Sequence, residues 1–115
     1  MMIKYTVAFF GLLLLSSCSE GNFDPTSDSQ DDYIIIDVRS AIEFQTGHLE
    51  GAINIPHTQI AERVSMHVES LDSKILLYCG SGKRSGIAQE VLLEMGYENA
   101  VNGGGYESLK SKGYR

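Results

Sequence analysis

The sequence predicts an α/β domain with a small parallel β-sheet flanked by helices on both faces. From Tyr33 onward, short apolar runs alternate with segments of helical periodicity, the pattern of parallel strands joined by helices. The apolar runs are continuous rather than alternating, as expected for strands buried on both faces. The 115-residue chain without the 17 residues of a predicted export signal keeps 98, enough for one domain with a single core.

The elements of the first half follow from apolar runs and turn residues. Residues 33–38 form a continuous apolar run and predict the first strand. Ser40 caps a short helix, with Glu43 three residues later as its capping-box partner. A turn over residues 46–51 then leads into a second strand at 52–55.

The second half alternates in the same way. Apolar residues at helical spacing predict a helix over 60–71, and a third strand follows at 75–78. A long helix begins near Ser85, and after it come a short strand at 100–101 and a final helix over 106–112. The apolar face of the long helix is predicted to consist of Ile87, Ala88, Val91, Leu92 and Met95, with Gly96 as its C-cap.

The most informative segment is the loop that begins at Cys79, directly after the third strand. A turn between a strand and a helix can direct successive backbone N–H groups inward, and the helix N-terminus adds partial positive charge. Such a loop holds an anion next to a sulfur nucleophile, so Cys79 is the candidate catalytic residue. The candidate substrate-binding residues are Gly80, Ser81, Gly82, Lys83, Arg84 and Ser85.

The loop predicts a cysteine that is largely ionised at neutral pH. Lowering a cysteine pKa from about 8.5 to about 6.5 takes roughly 2.7 kcal/mol. A helix N-terminus supplies only about 0.3 to 1 kcal/mol. The remainder is therefore expected from backbone N–H donors and from Lys83 or Arg84.

The N-terminus predicts export and a lipid anchor. A positive segment at 1–4 precedes an eleven-residue apolar run, shorter than the roughly 20 residues that span a membrane. The run ends in Leu-Ser-Ser before Cys18, which resembles the lipobox of bacterial lipoproteins. We therefore expect a signal peptide at 1–17, a flexible acidic tether at 18–32 that carries a lipid on Cys18, and the folded domain at 33–115, held at the bacterial cell envelope.

Charge and cysteine content restrict the possible partners. The mature part carries 8 basic and 15 acidic side chains, a net charge of about −7, which argues against a nucleic-acid partner. The chain has two cysteines, so lipidation of Cys18 leaves Cys79 as a single thiol without a disulfide partner. His57 and His67 have no ligand partners at metal-binding spacing, and neither a metal nor a cofactor is predicted.

Four stretches, in order, resemble the single-domain rhodaneses: residues 35–39 with Glu43 and Phe44, residues 47–56, the Cys79 loop and residues 104–106. The resemblance covers almost the whole predicted domain and implies a rhodanese-like fold. It also implies a monomeric thiosulfate sulfurtransferase. Cys79 would take the outer sulfur of thiosulfate as a persulfide and pass it to cyanide or another thiophilic acceptor.

Two alternatives compete with this interpretation. The domain could relay or bind a persulfide for a protein partner, with small-molecule turnover incidental. It could also be a cysteine-dependent phosphatase or arsenate reductase, but in those loops five residues separate cysteine and arginine. Here only four residues, 80–83, lie between Cys79 and Arg84.

The remaining polar candidates are expected to support structure rather than chemistry. Asp37 and Arg39 end the first strand and are predicted to pair with each other. His48 is expected to make a structural hydrogen bond within its Gly-His turn. Ser85 is the expected N-cap of the long helix, and the glycines at 104–105 are expected to serve backbone turns.

Overall fold

Four parallel strands form a single sheet in the computed structural model, which describes residues 23–24 and 28–115. The strands are β1 (Ile34–Asp37), β2 (Ile53–Asn54), β3 (Ile75–Cys79) and β4 (Ala100–Gly105), in the order β2-β1-β3-β4. The helices are α1 (Ala41–Gln45), α2 (Ile60–Arg63), α3 (Lys83–Glu94) and α4 (Tyr106–Ser111). The predicted signal peptide and Cys18 lie outside the described residues.

The core is divided between the two faces of the sheet. Because successive side chains of a strand point to opposite faces, Ile36 and Leu77 join one cluster while Ile35 and Leu76 join the other. Leu92 of α3 packs in the first cluster, and the second contains Leu109 of α4. The predicted α/β class, with helices on both faces of a parallel sheet, is confirmed.

The start of α1 has the predicted capping box. The Ser40 side chain accepts a hydrogen bond from the Glu43 N–H, and the Ser40 N–H donates to Glu43 Oε1 at 3.1 Å. Two backbone donors at the helix start are satisfied in this way.

The predicted helix over 60–71 is wrong in length. Only α2 and a single 3₁₀ turn, Val64–Met66, are helical, although Val64 and Val68 are buried as the spacing required. The hydroxyl of Tyr97 donates to the Val68 carbonyl at 3.0 Å. This hydrogen bond satisfies a backbone carbonyl and anchors the segment although no continuous helix runs through it. Leu71, at the end of the predicted helix, stays exposed.

Helix α3 begins two residues earlier than predicted. Gly82, not Ser85, is its N-cap, and Ser85 lies fully buried in the first turn. The predicted apolar face is partly wrong, because Ala88 and Leu92 are buried whereas Ile87 is 47% exposed. Ile87 is rotated by about 100° from Ala88 around the helix axis, so it points away from the sheet.

The predicted glycine ending of α3 is confirmed, with Gly96 directly after the C-cap residue Met95. Gly96 has a φ of +102°, and its N–H donates to the Leu93 carbonyl at 3.1 Å. The N–H of Tyr97 reaches back to the Leu92 carbonyl at 3.0 Å. This pair of bonds is the Schellman motif that closes a helix on a glycine.

Strand β4 is longer than the predicted strand at 100–101, because its glycine-rich end also pairs with β3. Glycine has a low strand propensity, so the sequence pattern did not indicate this extension. A register shift places Asn102 opposite Leu77 and Gly104 opposite Tyr78. A Cβ on Gly105 would lie 2.6 Å from the Gly80 carbonyl oxygen, so the strand approaches the Cys79 loop more closely than other residues would allow.

The last residues of the predicted tether belong to the folded part. Ser29 caps a 3₁₀ turn, Gln30–Asp32. The Gln30 side chain makes two hydrogen bonds to the backbone of Arg115, at 2.7 and 2.9 Å. The tether predicted for 18–32 is therefore wrong at its C-terminal end.

None of the helices in the described residues has the length and apolar character that a membrane span requires.

Asp37 and Arg39 form the expected ion pair, with Arg39 Nη2 at 2.7 Å from Asp37 Oδ2. Arg39 also donates to the Gly47 carbonyl at 2.6 Å, and its guanidinium lies 4.6 Å from the centre of the Tyr106 ring. Both charged side chains are buried. The pair thus ties the end of β1 to the following turn and to α4.

Replacing Arg39 is expected to destabilise the domain without a direct effect on chemistry. The change Arg39→Met leaves the Asp37 carboxylate buried without its partner, which typically costs about 3 to 5 kcal/mol. Urea unfolding followed by circular dichroism measures this loss, with the exposed Arg63→Met as the matched control. An unfolding free energy equal to that of the control would contradict the structural role.

Candidate active site

The Cys79 loop lies at the C-terminal end of β3, where α/β domains bind their ligands. Cys79 ends the strand, and α3 starts directly after Gly82. Gly82 has a φ of +99°, and a Cβ there would lie 3.2 Å from the backbone of Gly104. Both observations explain why the residue before the helix is glycine.

Hydrogen-bond donors surround the sulfur of Cys79. The Gly82 N–H donates to Sγ at 3.0 Å, and the Ser85 hydroxyl lies 3.5 Å from it. The backbone N–H groups of Ser81 and Ser85 also interact with the sulfur. The loop therefore has the inward-facing donors that the sequence predicted.

These donors lower the pKa of a buried thiol. Burial raises the pKa of Cys79, but the Ser85 hydroxyl and the backbone N–H groups of Ser85, Ser81 and Gly82 outweigh it, and the pKa falls from 9.0 to about 7. The direction agrees with the expectation from sequence. Because Cys79 is fully buried, however, a substrate reaches the sulfur only if part of the surrounding loop moves.

The charge contribution of the loop differs from the prediction. Arg84 forms a two-pronged ion pair with Glu43 of α1, with nitrogen–oxygen distances of 2.8 and 3.1 Å. This bonding to Arg84 is the main cause that lowers the pKa of Glu43 to about 2. The positive charge of Arg84 is thus largely balanced, while Lys83 is exposed to solvent.

Sequence reasoning missed two residues of this site. Glu43 was interpreted as a cap of α1 and not as a partner of Arg84, because the two are 41 positions apart. Asn102 was not considered, yet its Oδ1 accepts from the Ser85 hydroxyl at 2.7 Å and its Nδ2 donates to the Gly82 carbonyl at 3.0 Å. A polar residue beside the glycines at the end of a predicted parallel strand was the available signal for Asn102.

The other candidates lie away from the sulfur. Cys79 belongs to the core cluster on one face of the sheet, whereas Arg39 lies against the rings of Tyr78 and Tyr106 on the other face. His48 Nδ1 is 2.8 Å from the Phe44 carbonyl oxygen, and its ring stacks on the Phe44 ring. This is the local hydrogen bond expected for His48.

A concave feature also lies away from the Cys79 loop. A cavity of about 330 Å³ lies between the 3₁₀ turn at Gln30–Asp32 and the C-terminal residues, and Cys79 does not line it. Within the described part of the chain, no group of three or more His, Cys, Asp or Glu residues is arranged to hold a metal ion.

The parallel sheet, with a cysteine and its hydrogen-bond donors in the loop after the third strand, places the chain among the α/β domains with a ligand-binding loop at the C-terminal edge of the sheet. Comparison with known protein families gives the particular family. The model described as Rhodanese-like domain matches residues 25–112. The chain belongs to this family, as the resemblance seen in the sequence implied.

Individual relatives agree with this assignment. The chain is 40% identical over 74 residues to the thiosulfate sulfurtransferase PspE of Escherichia coli, a match that spans 64% of this chain and 71% of PspE. A solved structure titled rhodanese with anions from E. coli shares 41% identity with a TM-score of 0.62, covering 64% of this chain and 86% of that one. The human single domain sulfurtransferase TSTD1 shares 26% identity with a TM-score of 0.60, covering 70% and 83%.

Alkylation of Cys79 is expected to depend on pH with a midpoint near 7. Below the midpoint the thiol is protonated and reacts slowly, and above it the thiolate reacts fast. The change Ser85→Ala removes a donor to the sulfur and shifts the midpoint upward. Ser81→Ala is the matched control, because it keeps the backbone N–H.

Mass spectrometry of the Cys79 peptide after brief treatment with iodoacetamide measures this reaction. An unshifted midpoint in Ser85→Ala would show that the hydroxyl does not stabilise the thiolate.

Proposed function

We propose that this protein is a thiosulfate sulfurtransferase in which Cys79 carries the transferred sulfur as a persulfide. The observation that carries the proposal is the convergence of the Gly82 N–H, two further backbone N–H groups and the Ser85 hydroxyl on one sulfur atom. Membership of the rhodanese-like family and the likeness to PspE support sulfur transfer in general. Within this general activity, we propose thiosulfate as the sulfur donor.

The proposed reaction has two covalent steps. The Cys79 thiolate attacks the outer sulfur of thiosulfate, the sulfur–sulfur bond of thiosulfate breaks, and its electron pair leaves with sulfite. A cyanide ion, or another thiophilic acceptor, then attacks the outer sulfur of the persulfide. The bond to Sγ breaks and the thiolate is restored, a cycle that gives ping-pong kinetics.

The donors of the loop have a role in both steps. They stabilise the thiolate before attack, and the same fixed N–H groups would stabilise the persulfide anion after it. A thiosulfate ion also brings three sulfonate oxygens, for which Arg84 and Lys83 are the nearest cations of the loop. Arg84 would exchange its contact with Glu43 for one with the sulfonate.

The geometry argues against phosphatase or arsenate chemistry. Only Gly80, Ser81 and Gly82 separate β3 from α3, and donors lie 3.0 to 3.5 Å from the sulfur itself. A loop this short suits one sulfur atom bonded to Sγ better than a tetrahedral phosphoryl or arsenate group bonded to it directly.

Persulfide relay to a protein partner is the second candidate function. Its supporting observation is the fully buried Cys79, since a partner that displaces the loop would control access to the sulfur. Steady-state assays with thiosulfate and cyanide separate the candidates, because a relay loads readily but turns over slowly without its partner.

We extend the proposal to the location of the protein. The apolar N-terminal segment and the residues before Cys18 support export and lipid anchoring at the bacterial cell envelope. Radioactive or clickable palmitate incorporated in bacterial cells tests this, with Cys18→Ala as the variant expected to lose the label.

Thiosulfate treatment is expected to add one sulfur atom, about 32 Da, to the protein. Intact-mass analysis measures the adduct, which cyanide should remove. The variant Cys79→Ser is expected to remain unmodified. A wild-type protein that gains no mass under saturating thiosulfate would contradict the proposed function.

Removing Arg84 is expected to weaken the use of thiosulfate. Loss of a charge-assisted hydrogen bond is worth about 1.5 to 3 kcal/mol, so Arg84→Ala should raise the KM for thiosulfate about tenfold or more. The exposed Lys83→Ala is the matched control and should change KM less. Initial rates at varied thiosulfate and fixed cyanide measure both, and an equal KM in the two variants would refute the role of Arg84.

A further inference from the structure

The side chain of Asn102 connects three parts of the Cys79 loop region. Its Nδ2 donates to the Gly82 carbonyl at 3.0 Å. Its Oδ1 accepts from the Ser85 hydroxyl at 2.7 Å and from the Gly104 N–H at 3.0 Å. Asn102 lies on β4 at the register shift, so the irregular end of this strand is bonded to the loop and to the first turn of α3.

The Ser85 hydroxyl has one proton and two acceptors within reach. Asn102 Oδ1 lies at 2.7 Å and Cys79 Sγ at 3.5 Å. A hydroxyl donates to only one acceptor at a time. A neutral thiol accepts weakly, whereas a thiolate or persulfide anion attracts the proton strongly, so the charge on the sulfur decides the partner.

A change of partner leaves no buried acceptor unsatisfied. When the Ser85 hydroxyl turns to the sulfur, Asn102 Oδ1 still accepts from the Gly104 N–H at 3.0 Å. The usual cost of an orphaned buried polar atom, about 1 to 3 kcal/mol, does not arise. The second acceptor contact of Asn102 therefore makes the rearrangement inexpensive.

Asn102 also bonds the residue that carries one of the backbone donors to the sulfur. The Gly82 N–H points at Sγ from 3.0 Å, and the carbonyl of the same residue is held by Asn102. The Gly82 carbonyl accepts from the Gly86 N–H of α3 and from Asn102, both at 3.0 Å, so Asn102 adds a bond from β4 to the one that the helix supplies.

From these contacts we propose that Asn102 is a positioning residue of the active site. It helps to hold Gly82 beside the sulfur and accepts the hydrogen bond of the Ser85 hydroxyl while the sulfur is neutral. When the sulfur becomes negative, the hydroxyl keeps its proton and turns to donate its hydrogen bond to Sγ. This inference rests on the proposed function for its biological meaning, but the contacts and their test do not require thiosulfate.

Other charged groups near the sulfur are accounted for. Arg84 of α3 pairs with Glu43 of α1, whose pKa is about 2, so neither changes its charge in the neutral range. Lys83 is exposed. His57 lies in the 3₁₀ turn that packs against α3, and His57→Gln serves as a background that removes its imidazole.

The test is the pH midpoint of Cys79 alkylation in Asn102→Asp. An aspartate holds the Ser85 proton more firmly and repels the Gly82 carbonyl, so we expect alkylation at neutral pH to slow about tenfold or more. Asn99→Asp, near the opposite end of β4, adds the same charge and should shift the midpoint much less. A wild-type midpoint in a folded Asn102→Asp protein overturns the proposal.

A double-mutant cycle with Ser85→Ala separates the proton switch from the added charge. If the switch operates, Asn102→Asp shifts the midpoint less in the Ser85→Ala background than in the wild-type background. Equal shifts would mean that the charge acts only through space, which also overturns the proposal.

The neutral Asn102→Ser, checked by circular dichroism, gives a second cycle if the aspartate variant does not fold. It supports the proposal if its effect is non-additive with Ser85→Ala, and it overturns the proposal if the two effects add. Failure of the wild-type protein to load sulfur would refute the proposed function alone, because alkylation needs no thiosulfate.

Discussion

A buried sulfur atom with a lowered pKa requires hydrogen-bond donors that are held in place, and this requirement shapes the whole site. Cys79 is fully buried, and burial by itself disfavours a thiolate. The compensation comes mainly from backbone N–H groups and the Ser85 hydroxyl, since the cation of Arg84 is shared with Glu43. Fixed dipoles thus supply most of the stabilisation of the anion, and Arg84 also interacts with Cys79.

The sheet provides the rigidity that these donors need. Strand β3 is buried along its whole length, so Cys79 is set at its end with little freedom. The glycine-rich end of β4 lies against the loop closely enough that Gly105 has no room for a side chain. Asn102 fastens the loop from the same strand. The C-terminal end of β4 therefore supports the Cys79 loop as well as extending the sheet.

Local rules predicted the elements whose ends are set by neighbours in sequence. The capping box at Ser40 and the glycine cap at Gly96 were both confirmed, because each depends on residues within one turn. The helix over 60–71 was wrong in length, and Val68 is anchored instead by a bond from Tyr97, far along the chain. The Ser85 cap was wrong because that hydroxyl bonds Asn102 instead.

The sequence alone determined the α/β class, the family and the position of Cys79 in a donor loop, since these depend on apolar runs and contiguous motifs. Only the tertiary structure decided which groups tune that cysteine. The contact of Arg84 with Glu43 spans 41 residues and that of Ser85 with Asn102 spans 17. Such pairs exist only once parallel strands bring their C-terminal ends to one edge of the sheet, and no periodicity along the chain encodes them.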